Sequence, residues 1–422
     1  MNKKQMKNDA AKTCLSINKL ISKKDIALGI FITAILYSFY ILSVTTASYL
    51  YQNADLYKLS LFASGVSPYS TLPWQAPYPP LYCILWIIPY LLITSLLHNP
   101  AQIYLGFKAF SLIIIYFVTF LVYKSLTSLK VNKYKSIFLS AIFLIFAQDT
   151  LRILTGDSLG ILLLAFGTYL FIKRKNLLGV LFVTMSVLFK IHPIIGLILI
   201  IVALLRNSKR DFYKSISIVI AAIIIFFIIP MAIISNSFSS FMGFESNALQ
   251  FYTFNIYSGT FGLLSSALSL TNPLTSSLAT LIDDVWIVTT MAAIVLLSFS
   301  ILKKGRFKNA KLTDILAIGL LVWLLLLKQT LPYYYIWPLA VLISGNRIKS
   351  AAFLIIGNLL GSALFYYAIS LLGSTSTINY ALPPPVNVSL CLLAGGILFA
   401  IFNILAIRQI IVEIDADNLG RQ

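Results

Sequence analysis

Charged residues are scarce in this sequence, and their scarcity excludes most soluble proteins. Of the 422 residues only 11 % are charged, whereas 59 % are hydrophobic and the mean hydropathy is +0.90. Soluble domains contain about 25 % charged and about 45–50 % apolar residues. A soluble protein, a disordered protein and a coiled coil are therefore excluded. The composition predicts an all-α polytopic protein embedded in the lipid bilayer of the cell membrane.

Cysteine and recognisable metal or nucleotide motifs are also lacking. The three cysteines, Cys14, Cys83 and Cys391, are too scattered for a disulfide framework or a metal site. There is no Walker-type glycine loop and no HExxH motif, so nothing indicates an ATPase or a metalloprotease. An internal repeat, which would favour a transporter, is absent from the sequence as well. We expect neither a metal nor another cofactor.

Basic residues are the charges that the sequence does contain. There are 32 Lys and Arg against 13 Asp and Glu, which gives a net charge of +19. In a membrane protein this excess is typical of cytoplasmic loops and does not indicate binding to nucleic acid. Twelve apolar runs predict about twelve transmembrane helices, at residues 26–51, 101–123, 136–152, 158–172, 176–190, 193–205, 215–234, 282–302, 312–329, 331–345, 350–372 and 386–407.

One more apolar stretch, at residues 79–98, decides the topology. If it does not span the membrane, both termini and all the basic loops lie in the cytoplasm, as the positive-inside rule requires. We therefore predict that this stretch forms a pair of short helices, broken at Pro89, in or near the outer interface. The predicted organisation begins with a basic cytoplasmic N-terminus (1–25) and a core module (26–234) that includes an outer loop (52–100). A second outer loop (235–281), a C-terminal transmembrane module (282–407) and a cytoplasmic tail (408–422) follow.

Five basic residues fall on the predicted outer side, where the positive-inside rule disfavours them, so each requires an explanation. Snorkelling to lipid headgroups accounts for Lys58 and Lys108. For Arg152, Lys190 and Lys328, which lie at outer helix ends, an anionic ligand is a second interpretation.

The segment around Lys190 is the best candidate for an anion site. The spans at 176–190 and 193–205 are short, so the FKIHP turn between them is expected below the outer surface, lining a wet cavity. Lys190 and His192 are hydrogen-bond donors there, and together with Arg152 they are suited to hold a phosphate. The alternative is that Lys190 snorkels and His192 caps a helix end.

Two acidic residues on the predicted outer side are candidates for chemistry. Asp55 is a lone carboxylate after the first span and would serve as a general base, or else it is a solvated loop residue or a helix cap. Asp157, in LTGDSLG, is a helix N-cap or an acceptor for substrate hydroxyls. The aromatic run from Tyr333 to Trp337 forms a membrane aromatic belt or a sugar-stacking platform.

The order of these motifs resembles the GT-C superfamily of polyprenyl-phosphate-sugar-dependent glycosyltransferases. It is most like glycosyltransferase family 87, the bacterial mannosyltransferases, and it is also similar to the catalytic subunit of GPI mannosyltransferase I. The resemblance covers residues 26–205, and the Y-Y-Y-I-W-P motif extends it to the C-terminal half. The matching elements are Asp55 in ADLYKL, the G-x-x-P-Y turn at Gly65, Pro68 and Tyr69, the Y-P-P-L element at Tyr78, Pro79, Pro80 and Leu81, the helix start at Gly156, Asp157 and Ser158, and the K-x-x-P turn at Lys190, Ile191, His192 and Pro193. Asn53 stands where the GPI enzyme has the first acid of a D-x-D motif.

The resemblance implies a GT-C fold with juxtamembrane helices in the first outer loop. It implies transfer of a sugar, mannose first, from a polyprenyl-phosphate donor to a glycolipid or glycan acceptor on the outer face. Asp55 would be the general base of an inverting displacement, and Arg152, Lys190 and His192 would bind the donor phosphate. The expected substrate-binding residues are Asp157, Tyr57, Tyr69, Tyr78, Lys328 and Tyr334. Two alternatives stay open: a transporter or flippase for a lipid-linked or anionic substrate, and an O-antigen-type ligase or polymerase.

Overall fold

The fold consists of helices packed side by side, as the composition predicts. The structure, a computed structural model, describes residues 23–43, 49–68, 79–149, 156–233, 276–303, 307, 310–327, 334–371 and 386–419, and no strand occurs among them. In chain order the helices are α1 (Lys23–Ser43), α2 (Tyr49–Ala63), α3 (Pro80–Leu96), α4 (Pro100–Ser128), α5 (Lys133–Asp149), α6 (Ser158–Ile172), α7 (Asn176–Phe189), α8 (Ile194–Asn207), α9 (Lys209–Ile223), a π-helical turn (Ile224–Ile228), α10 (Ile229–Ile233), α11 (Ser276–Leu302), α12 (Leu312–Leu326), α13 (Ile336–Ser344), α14 (Ile348–Leu371) and α15 (Val386–Leu419).

Every predicted apolar run contains a helix, and two runs depart most from the predicted bounds. The run at 26–51 holds two helices, because α1 ends at Ser43 and α2 begins at Tyr49. At the other end of the chain, α15 continues to Leu419, through most of the predicted tail.

The apolar stretch at residues 79–98 forms one helix, so the predicted break at Pro89 is wrong. Helix α3 runs from Pro80 to Leu96 with Pro89 inside it. A proline within a helix removes one backbone hydrogen bond, but Pro80 in the first turn favours the helical conformation. Tyr82 and Trp86 on this helix are completely buried. Burial of such large aromatic side chains outweighs the loss of one hydrogen bond.

Long apolar helices indicate a membrane protein. Five segments of the described residues are long and apolar enough to cross a bilayer: Lys24–Ser43, Pro100–Ser128, Lys209–Ile233, Asp284–Leu302 and Leu393–Asp417. Two of them, in α9–α10 and α11, have only 11 % of their most apolar window buried, and large side chains such as Phe299 are exposed. An apolar helix surface left exposed in this way is suited to face lipid.

Glycines allow pairs of these helices to approach closely. A Cβ atom on Gly361 of α14 would lie 3.0 Å from the carbonyl oxygen of Gly395 on α15, and the reverse is also true. Where α8 crosses α12, Gly196 and Gly319 are in backbone contact. Small residues at helix crossings maximise packing between membrane helices, where the hydrophobic effect contributes little.

A buried ion network joins three helices at one end of the C-terminal half. Arg347, in the turn between α13 and α14, donates two hydrogen bonds of 2.8 Å to the Asp314 carboxylate in the first turn of α12. It also donates to Asp417 of α15 at 3.0 Å and lies 3.5 Å from the Glu413 carboxylate. Arg347 therefore lies between two helices, as a loop charge would, but its guanidinium is buried.

Candidate functional site

An ion pair between Lys190 and Asp157 lies at the centre of the candidate site. The Lys190 ammonium donates to both carboxylate oxygens of Asp157, at 2.8 and 2.7 Å. The side chains are only 10 % and 4 % exposed. Burial of both groups contradicts the snorkelling interpretation of Lys190. Asp157 occupies the N-cap position of α6, as predicted, but its side chain makes no capping hydrogen bond.

The ends of two neighbouring helices bring this pair together. Helix α6 begins after Gly156 and Asp157, and α7 ends at Phe189, immediately before Lys190. The two helices pack against each other, and Ser186 of α7 donates a side-chain hydrogen bond of 2.9 Å to the Gly160 carbonyl of α6. The start of α6 therefore lies beside the end of α7, and the residues at these two ends meet.

His192, two residues further on, is buried within an aromatic cluster. Its Nδ1 atom accepts a hydrogen bond of 3.2 Å from the Trp323 indole N–H of α12. Since Nδ1 is the acceptor, the neutral ring carries its proton on Nε2. The buried Nε2 atom has no hydrogen-bond partner among the residues that the structure describes. Pro193, and not His192, is the N-cap residue of α8, so the capping interpretation of His192 is wrong.

The Y-Y-Y-I-W-P segment completes this cluster. The Tyr334 ring centroid lies 4.6 Å from the Lys190 ammonium and 4.3 Å from the His192 ring centroid. Trp337 packs edge-on against His192 at 5.4 Å. The Tyr335 hydroxyl donates to the Phe146 carbonyl at 3.0 Å. Because Tyr335 and Trp337 are completely buried, they do not belong to a lipid-facing aromatic belt.

Helix α2 contains Asp55, the residue expected to act as the general base. The backbone of Asp55 lies in the interior of this helix, which contradicts the loop and cap interpretations of that residue. The helix ends in a Schellman motif at the G-x-x-P turn: Gly65 has φ of 74° and donates to Phe62, and Val66 donates to Leu61. Tyr57, expected to bind substrate, is 44 % exposed.

Two further lysines are buried, and sequence reasoning gave them the wrong environment. Lys58 on α2 is 4 % exposed and Lys108 on α4 is completely buried, so neither snorkels to lipid headgroups. Ionisable side chains are rarely retained inside membrane proteins without a function. A signal for Lys108 was present, because it lies more than two turns inside an apolar helix that begins at Pro100.

Helix α3 connects these polar groups. It packs against α2, α4 and α7. Its Tyr82 ring lies 5.2 Å from Phe189, the neighbour of Lys190, and its Trp86 ring lies 5.4 Å from Phe107, the neighbour of Lys108. The Trp86 indole N–H donates to the Gly156 carbonyl at 3.0 Å. One rigid helix therefore contacts the Lys190 region and the helices that carry Asp55 and Lys108.

The remaining expected site residues lie outside the described part of the chain. They are Arg152, Tyr69, Tyr78 and Lys328, together with the side chain of Asp55.

Comparison with protein-family models, with curated proteins and with solved structures gives no match.

Proposed function

We propose that the protein is an integral-membrane glycosyltransferase of the GT-C type. The observation that carries this proposal is the buried Lys190–Asp157 pair with His192 and Tyr334 beside it. A charged pair, an imidazole and an aromatic ring together are suited to bind a polar ligand with hydroxyl groups. Their position within apolar helices is suited to a substrate whose remainder is lipid.

The reaction is a single displacement at the sugar carbon of a polyprenyl-phosphate donor, mannose first. The acceptor hydroxyl oxygen forms a bond to the anomeric carbon, and the bond from that carbon to the phosphate oxygen breaks. Asp55 accepts the hydroxyl proton, and the polyprenyl phosphate leaves with the bonding electron pair. One base without a nucleophile gives inversion. The acceptor is a glycolipid or glycan on the extracytoplasmic face, with both termini in the cytoplasm.

Cations stabilise the phosphate as its charge grows during departure. The resemblance assigns this role to Arg152, Lys190 and His192. The Lys190 charge is already paired with Asp157. The proposal therefore gives Arg152 the larger share of the phosphate interaction.

A transfer assay tests the proposal. Purified protein in detergent is given radiolabelled polyprenyl-phosphate-mannose and an extract of membrane lipids and glycans. We expect the label to enter a new product, and Asp55→Asn to lower the rate by about 10²- to 10⁴-fold, because the general base is lost. Asp284→Asn removes the same charge from an exposed position on α11 and is the matched control. Full transfer by folded Asp55→Asn would refute the role of Asp55.

The buried lysines favour transport as a second candidate function, because buried cations also line the pathways of anionic substrates. A transporter would move labelled donor across a proteoliposome membrane without forming a new product. Wild-type protein that translocates the donor and never transfers its sugar would replace the transferase proposal with this one.

A further inference from the structure

Two buried N–H groups of the candidate site have no acceptor among the described residues. They are the Nε2 of His192 and the indole Nε1 of Trp337. Three other indole groups do have acceptors: Trp86 donates to Gly156, Trp286 donates to Leu326, and Trp323 donates to His192. A buried donor without an acceptor destabilises a protein, so two neighbouring ones require an explanation. A ligand oxygen would provide it.

The charges around these donors indicate what kind of ligand group this is. Lys190 and Asp157 neutralise each other, and His192 is neutral because its Nδ1 atom accepts a hydrogen bond. Trp337 is uncharged, so these four residues have no net charge. A phosphate bound here would also be repelled by the Asp157 carboxylate. The arrangement therefore favours an uncharged group with acceptor oxygens.

The same residues also provide what a sugar ring requires. A hydroxyl both accepts and donates, and the site contains both N–H donors, on His192 and Trp337, and an acceptor, the Asp157 carboxylate that pairs with Lys190. The Tyr334 ring, 4.3 Å from His192, is an aromatic side chain of the kind against which the C–H groups of a sugar pack. Phosphate oxygens have no protons to give to Asp157 and no apolar face to stack.

We propose that Lys190, Asp157, His192 and Trp337 form the subsite for the hydroxyl-bearing ring of the substrate, and not for its phosphate. This inference rests on the proposed function and revises the role that the resemblance implies for Lys190 and His192. The phosphate then binds to cations outside this group of four residues.

Binding of two probes tests this division. The probes are polyprenyl-phosphate-mannose and the same polyprenyl phosphate without the sugar, each titrated into detergent-solubilised protein. His192→Asn keeps an acceptor for Trp323 and removes the Nε2–H donor, and Trp337→Phe removes the indole donor. We expect each variant to bind the mannose conjugate about tenfold more weakly, because one hydrogen bond is lost, and to bind polyprenyl phosphate as tightly as wild type does.

The control variant is Trp286→Phe, which removes an indole donor that already has an acceptor outside the site. It should bind both probes like wild type. Competition on the wild type gives a second measurement that needs no variant to fold. An uncharged alkyl mannoside should displace the mannose conjugate and leave bound polyprenyl phosphate in place.

Each other outcome overturns the inference. Weaker binding of both probes by the two variants would make this an anion site. Unchanged binding of both probes, without displacement by the alkyl mannoside, would mean that the sugar lies elsewhere, and the transferase proposal would survive. Wild-type protein that binds neither probe would refute the proposed function itself, and the subsite with it.

Discussion

Arg347 provides the sharpest test of what holds the C-terminal helices together. Its guanidinium makes two hydrogen bonds of 2.8 Å to Asp314, whose side chain is only 1 % exposed. Burial lowers the pKa of Arg347, but the hydrogen bonds and charges of Asp314 and Asp417 outweigh burial and raise the pKa above its ordinary value. Arg347→Gln leaves the Asp314 carboxylate buried without its cation. We expect this variant to be less stable by about 3–5 kcal/mol.

The carboxylate partners should rank by burial. Asp314→Asn removes the charge of the most buried carboxylate and should lower the free energy of unfolding most among the three variants. Glu413, which is 19 % exposed at 3.5 Å from the guanidinium, should have a smaller effect on changing to Gln. The Asp417 side chain is 40 % exposed, so solvent screening should keep the effect of Asp417→Asn below about 1 kcal/mol.

Thermal unfolding in detergent, followed by tryptophan fluorescence, measures the series. Lys349→Gln is the matched control, because Lys349 lies two residues away, has the same charge and is exposed. Its melting temperature should stay close to that of wild type, because its free energy of unfolding should change by less than about 0.5 kcal/mol. If Arg347→Gln has the same melting temperature as Lys349→Gln, or if Asp417→Asn lowers stability more than Asp314→Asn does, burial does not determine the strength of these ion pairs.

Three further predictions concern packing, the buried lysines and topology. Gly319→Ala should lower the melting temperature, by about 1–3 kcal/mol in stability, because the added Cβ meets the backbone of Gly196, whereas Gly29→Ala meets nothing within 4 Å and should raise it slightly. Lys108→Met should lower the transfer rate at least tenfold or prevent accumulation of folded protein, because the buried cation is lost. Quantitative membrane blots measure the amount of folded protein, and a fully active variant would show that Lys108 has no role in the reaction. Lys130→Cys, in a variant whose native cysteines are serine, should react with an impermeant maleimide only after the cells are opened, and labelling of intact cells would reverse the predicted topology.

Most of the helices were predictable from the sequence because they are continuous apolar runs. Helix α2 is not such a run, since it contains Gln52, Asn53, Asp55 and Lys58. The run at 158–172 has the same bounds as α6. The exceptions depend on balances that a local pattern does not contain. Pro89 indicates a break, and only the burial of residues such as Trp86 around it keeps α3 continuous.

The site residues were predictable one by one, but their partners were not. Lys190 and Asp157 each stand out as charges at helix ends, yet they are 33 positions apart, and their pairing depends on how α6 and α7 pack. The same holds for Arg347, which resembles an ordinary loop charge until α12 and α15 bring carboxylates to it. Trp323 gave no signal at all, because an indole within an apolar run resembles any other core residue.

The shortness of the helices around Lys190 has a consequence for which molecules reach it. Helices α6, α7 and α8 contain 15, 14 and 14 residues, which correspond to about 21–22 Å, while a bilayer core is about 30 Å thick. In the proposed topology, a water-soluble sugar nucleotide would have to leave its hydration shell and descend beneath the headgroups to reach the turn at Lys190. A lipid-linked molecule already has its chain at that depth and needs only to move sideways between helices. Access by depth would therefore discriminate between donors before any contact with their sugar.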